Sequence, residues 1–139
     1  MAGTAPPVKH GCQGLLLERL PARPQSITPL RQAVVGFAEA CGVSERRRED
    51  IALAVSEAVS NAVLHAYVGR ASEGVVTVEA SLQDGRLTVV VCDDGNGMSQ
   101  RDDSPGLGLG LALVERMADD LQIEDRRPGL RVRMTFSAG

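Results

Sequence analysis

With 139 residues, 43% hydrophobic and 24% charged, the chain is sized and composed for one globular domain that buries a core between two layers. A net charge of -3, an aromatic content of 2% and no Trp argue against a phosphate-backbone binder or a base-stacking platform. No run approaches the roughly 18 apolar residues of a membrane span, and Cys12, Cys41 and Cys92, without CxxC spacing, suggest neither a disulfide framework nor a zinc site but thiols in a reducing cytoplasm.

Residues 1–14, with Pro6, Pro7 and two early glycines, read as a flexible leader, and residues 15–139 as a single domain. Leu15 to Leu20 is a short apolar run ending before Pro21 and Pro24, the pattern of an edge strand followed by a loop. Thr28 before Pro29 predicts a helix start, because the hydroxyl caps free amides and proline suits the first helical position. Leu30, Val34, Phe37 and Cys41 keep helical spacing until Gly42 ends it. Ser44 then predicts the cap of a second helix running to about Tyr67. Arg46 to Arg48, flanked by Glu45, Glu49 and Asp50, read as its solvated start rather than a nucleic-acid patch.

Within that second helix Ile51, Ala54, Val55, Ala58, Val59, Ala62 and Ala66 fall on one arc at about 100° per residue and should face the core. Glu57, Asn61 and His65 stack at i, i+4, i+8 as a second stripe. Leu53 and Leu64 flank it, and Ser56 and Ser60 take the wetter side. A carboxylate and an amide at an apolar border either serve structure or face a ligand, and the helix alone does not choose. His65 reads as a helix-face histidine with a structural hydrogen bond.

After a polar connector over residues 68–74, VVTVEASL and LTVVVCD are strand-like runs joined through Asp84-Gly85, a strong hairpin signal. The first alternates Val76, Val78 and Ala80 with polar residues. The second is apolar almost throughout, which predicts a central strand delivering Asp93 and Asp94 to its end. Five glycines follow in two clusters, Gly95 with Gly97 and Gly106 with Gly108 and Gly110, separated by a stretch with the composition of a mobile loop. Leu109, Leu111, Leu113, Val114 and Met117 start a helix out of the second cluster. Leu121 to Ile123 and Leu130 to Phe136 predict a closing strand pair turned at Arg127-Pro128-Gly129.

A strand-end carboxylate beside two glycines can accept a hydrogen bond from a base amine while the ring approaches the backbone; a tight turn explains it equally well. Amides of Gly108 and Gly110 at a helix start suit phosphate, or the glycines serve a turn or close packing. The second cluster comes well after the strand, unlike a dinucleotide fingerprint, and no Gly-Lys-Ser/Thr of a Walker A loop occurs.

In chain order, Glu57-x-x-x-Asn61-Ala62, Asp93-x-Gly95-x-Gly97 and Gly106-x-Gly108-Leu109-Gly110-Leu111 resemble the N, G1 and G2 boxes of the GHKL ATPase superfamily. SEAVSNAVLHAY and ALVERMADDL look most like the bacterial anti-sigma-factor serine/threonine kinases. The resemblance spans roughly Leu15 to Phe136. It implies an α+β fold, a two-layer α/β sandwich whose mixed, mostly antiparallel sheet carries helices on one face, with ATP between the layers under a loop. It further implies that Asp93 binds the adenine amino group, Gly95 and Gly97 line the base pocket, and Asn61 coordinates Mg²⁺. Gly106, Gly108, Leu109 and Gly110 would surround the phosphates, and Glu57 would be the general base toward a serine or threonine hydroxyl. Arg31 matches an arginine on the family's partner-binding helix. The implied partners are a sigma factor, a STAS-type anti-anti-sigma protein and a second copy in a homodimer, all cytoplasmic. Two departures stand out: a short loop followed by Leu107, where the kinases often have a polar residue, and Leu130, where the family usually has a threonine. Rival readings are a nucleotide-binding sequestering module without phosphotransfer and a catalytic fragment resembling a histidine kinase.

Overall fold

The computed structural model describes residues 15–67, 74–94, 105–125 and 129–139; the expected leader over residues 1–14 lies outside them. Strand β1 (Leu15–Pro21) leads through a 3-10 turn at Pro24–Ser26 into helices α1 (Ile27–Ala40) and α2 (Glu45–Tyr67). The hairpin of β2 (Val75–Gln83) and β3 (Arg86–Asp93) follows, then α3 (Pro105–Met117), β4 (Asp120–Asp125) and β5 (Leu130–Ser137). The strands lie in the order β1-β2-β3-β5-β4, and every pairing among the described residues is antiparallel.

The period of two decides which face the helices cover. Register pairs Val78 with Val91 and Val91 with Val132, so Val76, Val78 and Ala80, Leu87, Val89 and Val91, and Leu130, Val132, Met134 and Phe136 share one buried face. The opposite face carries Thr77, Glu79, Thr88, Arg131, Arg133 and Thr135. Val90 lies on that polar face yet is buried, opposite Glu79 on one side and Arg133 on the other. Hence β3 is apolar almost throughout and takes the centre of the sheet, while β1 is an edge, as the sequence pattern predicts. Asp84 at φ 54° and Gly85 at φ 75° form the two-residue turn, the left-handed pair that matches strand twist in a hairpin.

Helix α2 covers β2, β3 and β5 and touches both α1 and α3. Ile51, Ala54, Val55, Ala58, Val59 and Ala62 are all buried, and their alanines let the helix approach the sheet closely. A larger side chain at Ala58 would overpack this contact, at a cost of about 1–3 kcal/mol. The Ser44 hydroxyl accepts from Arg47 N at 3.2 Å and its carbonyl from Arg48 N at 2.9 Å, the expected cap. The start of α1 differs from expectation. The 3-10 turn runs directly into the helix, so Ser26, not Thr28, stands at the cap position, and its hydroxyl donates to the Pro21 carbonyl at 2.7 Å. The turn already gives the amides of Ser26 and Ile27 carbonyl acceptors, leaving these donors no need of a hydroxyl cap.

Arg47 ties the start of α2 to the end of the chain. Its guanidinium meets Asp50 at 2.8 Å and Asp119 at 3.1 Å, its Nε donates to the Ser137 carbonyl, and it lies 5.7 Å from the centre of the Phe136 ring. Cys41 is buried and Cys92 half-buried, and neither forms a disulfide among the described residues.

Candidate functional site

Three buried polar side chains occur among the described residues: Ser26, Asn61 and Asp93. Ser26 is accounted for by its bond to Pro21. The other two belong to the N-box and G1-box patterns. Asn61 lies near the C-terminal end of α2, 8% exposed, and its Nδ2 is buried with no hydrogen-bond partner among the described residues. An orphaned buried amide is costly, of order 1–3 kcal/mol, and such groups persist where a ligand supplies the missing contact. By turning over, the amide can present either its oxygen to a cation or its nitrogen to a phosphate oxygen. Glu57, one turn earlier, is half-buried and reaches solvent. It therefore pairs access to an external hydroxyl with a place beside the buried amide. The flanking leucines of the expected apolar border are themselves exposed, Leu53 and Leu64 being 42% and 48% accessible. The His65 side chain lies outside the described ones.

Asp93 ends β3 on the same face as Leu87, Val89 and Val91, the face that α2 covers. Strand alternation thus aims its carboxylate into the layer between sheet and helices, the layer in which Asn61 is buried. Two supports of this strand end escape a reading of motifs. Val75 N donates to Asp94 Oδ1 at 2.8 Å, and Gly129, at φ 91°, lies against the peptide that follows Asp93. The Pro128-Gly129 pair signalled a turn, but nothing local in the sequence said which strand end it would meet. Gly95 and Gly97 lie outside the described residues.

Helix α3 begins at Pro105, earlier than a start within the second glycine cluster. Gly106 and Gly108 therefore occupy its first turn, where amides have no intrahelical acceptor and can serve an anion. Gly110 lies two residues further in than Gly108, and its N–H falls in register with the carbonyl of Gly106. Leu109 is in the same helix. Helix α3 packs on α2 and so borders the layer that holds Asn61.

Arg31 projects from α1 toward α2, its Nη1 3.4 Å from Ser56 Oγ and its Nη2 3.5 Å from Thr28 Oγ1. With Glu49, Ala52, Leu53 and Ser56 it lines a shallow groove of about 350 Å³ on the helical surface, and Leu53 in its wall lies one turn before Glu57. A second depression, about 480 Å³, lies on the helix-free face of the sheet among Ser81, Thr88, Gln122, Arg133 and Thr135. It contains none of the motif residues. No group of three His, Cys, Asp or Glu side chains able to hold a metal ion occurs among the described residues.

Residues 20–136 match the protein family described as histidine kinase-like ATPase domain. Among sequence relatives, the serine-protein kinase RsbW of Bacillus licheniformis is 33% identical, over 83% of this chain and 80% of its own length. Among solved structures, the RsbU and RsbW domains of a Mycobacterium tuberculosis protein superpose with a TM-score of 0.72 at 26% identity, over 89% of this chain; this chain spans 32% of that longer one. The histidine kinase domain of a blue-light activated histidine kinase from Erythrobacter litoralis gives a TM-score of 0.60 at 26% identity, over 86% of this chain and 62% of that one.

Proposed function

The chain belongs to the histidine kinase-like ATPase domain family, and from that membership, together with its likeness to RsbW serine-protein kinases, we propose that it is an anti-sigma factor with ATP-dependent serine/threonine protein kinase activity toward an anti-anti-sigma partner. One observation carries the nucleotide site: of the buried polar side chains described, the two at the N-box and G1-box positions face the same interlayer space, and Asn61 holds an unmet hydrogen-bonding group there.

ATP with Mg²⁺, when bound, supplies the phosphoryl group and the cation that offsets its charge. The chain's own residues do the rest. Asp93 accepts a hydrogen bond from the adenine amine, and its burial makes that bond selective. Asn61 would hold the cation through its amide oxygen, since Mg²⁺ is commonly bound by few protein groups. Amides of the first turn of α3, at Gly106 and Gly108, meet phosphate at the positive end of the helix. Glu57, half-exposed, takes the proton from a serine or threonine hydroxyl presented by the partner. Arg31 and its groove, whose wall holds Leu53 one turn before that carboxylate, receive the partner protein. The partners are a sigma factor and a STAS-type anti-anti-sigma protein, the active form is a homodimer, and the setting is the cytoplasm. Among the described residues no helix is long and apolar enough to cross a membrane.

A second reading, a module that binds nucleotide and sequesters its partner without transfer, is favoured by Leu130, buried where the resemblance places a threonine hydroxyl near the base. Incubation with labelled ATP, Mg²⁺ and the cognate anti-anti-sigma protein separates the two. Transfer by the wild type, lost in Glu57→Gln with nucleotide binding intact, is the expected result. Transfer that survives Glu57→Gln removes Glu57 as the base, and a partner bound but never labelled selects the sequestering module. Asp93→Asn should weaken ATP binding; unchanged affinity would place the adenine elsewhere.

A further inference from the structure

We propose that Gly129 and Asp94 are positioning residues that aim the Asp93 carboxylate at the adenine amino group, an inference that rests on the reading of Asp93 given above. Asp93 is the last residue of β3, and its direction is fixed by whatever holds the peptide that follows it. Two contacts do so from opposite neighbours in the sheet.

On the β2 side the last backbone pairing is Val76 with Asp93, and one step beyond it Val75 N donates to Asp94 Oδ1 at 2.8 Å. This side-chain rung continues the ladder past the end of the strand. On the β5 side Gly129, at φ 91°, brings its backbone against the same peptide. A Cβ at this position would run into the Asp93 carbonyl oxygen and stand 2.8 Å from its carbonyl carbon and 3.2 Å from the Asp94 Cα. No side chain fits there unless the peptide carrying Asp93 moves. Gly85 provides the contrast. Its φ of 75° is equally left-handed, but a Cβ would meet nothing within 4 Å. Positive φ is thus common to both glycines, and contact with the Asp93 peptide belongs to Gly129. A hydrogen bond to a base amine depends on angle as well as distance, so a displaced peptide weakens it even in a folded domain.

The test compares affinities of the full chain for ATP and inosine triphosphate by titration calorimetry with Mg²⁺. Inosine triphosphate keeps the ribose and triphosphate but has an oxygen in place of the amino group. The ratio of the two affinities therefore reports on the Asp93 hydrogen bond, while contacts to the triphosphate cancel. Wild type should prefer ATP by about tenfold or more, the scale of a hydrogen bond to a charged group, and Asp93→Asn should abolish the preference. Gly129→Ala and Asp94→Ala should each reduce the ratio by at least about threefold. Gly85→Ala should leave it unchanged, as should Asp94→Asn, which retains an oxygen to accept from Val75 N. A purely structural role would weaken both nucleotides alike and leave the ratio intact. An unchanged ratio in Asp94→Ala, with wild type selective and Asp93→Asn not, overturns the positioning role alone. A wild type that does not discriminate overturns this proposal and the adenine assignment of Asp93 together. If Gly129→Ala does not fold, the contrast between Asp94→Ala and Asp94→Asn decides.

Discussion

Replacing Asn61 by leucine is expected to move folding and nucleotide binding in opposite directions. The two side chains share a branched outline, so Asn61→Leu removes the polar atoms with little change of shape. In the free protein, Nδ2 is buried without a partner among the described residues. Such a donor costs about 1–3 kcal/mol, and leucine is the better helix former by a few tenths of a kcal/mol. The substitution should therefore stabilise the nucleotide-free protein by about 1.5–3 kcal/mol. At an unfolding entropy of about 2.1 cal/mol/K per residue, a chain of 139 residues shifts its Tm by roughly 3.4 °C per kcal/mol. The expected rise is about 5–10 °C. ATP at a hundredfold excess over its Kd stabilises the wild type by about 2.7 kcal/mol, or roughly 9 °C, and this increment should vanish in the variant. Differential scanning fluorimetry with and without ATP and Mg²⁺ measures both quantities. A nucleotide-free Tm that falls would identify Asn61 as a structural amide, and an ATP shift that persists would remove it from the site.

Arg47→Ala should destabilise the domain by about 1–2 kcal/mol in urea unfolding, chiefly through the lost packing on Phe136 and the bond to the Ser137 carbonyl, because ion pairs to exposed partners such as Asp119 contribute little. Ser44→Ala removes the N-cap of α2 and should lower stability by about 1 kcal/mol in the same assay without altering the ATP-induced Tm shift. Among the described residues Arg31→Glu breaks only long contacts to Ser56 and Thr28, so its stability should stay within about 0.5 kcal/mol of wild type. Its affinity for the protein partner, read by calorimetry, should fall at least tenfold by charge reversal in the groove; unchanged affinity would move the partner surface away from α1.

The residues that build the candidate site were legible because each is marked by local chemistry. Asn61 stands out as an amide one turn from Glu57 at the border of an apolar arc, and the structure buries it. Asp93 stands out as a carboxylate closing an apolar strand, and alternation alone predicts the face it shares with Val91. Arg47 shows the opposite case. Within Arg46 to Arg48 it looks like one member of a solvated run, yet it is the member that packs over Phe136 and joins α2 to Asp119 and Ser137. Its neighbours in sequence carry no trace of partners that lie 72 and 90 residues away.

By itself the sequence determined the elements, the turn at Asp84-Gly85, the cap at Ser44 and the identity of the chemical groups, since periods of 2 and 3.6 and the φ demands of a turn are local properties of the backbone. Tertiary structure decided that β5 enters the sheet between β3 and β4, and therefore that Gly129 rests on the peptide after Asp93. Contacts of that kind depend on which distant strands pair and in what register, a choice made by burial of the whole apolar face rather than by any one segment.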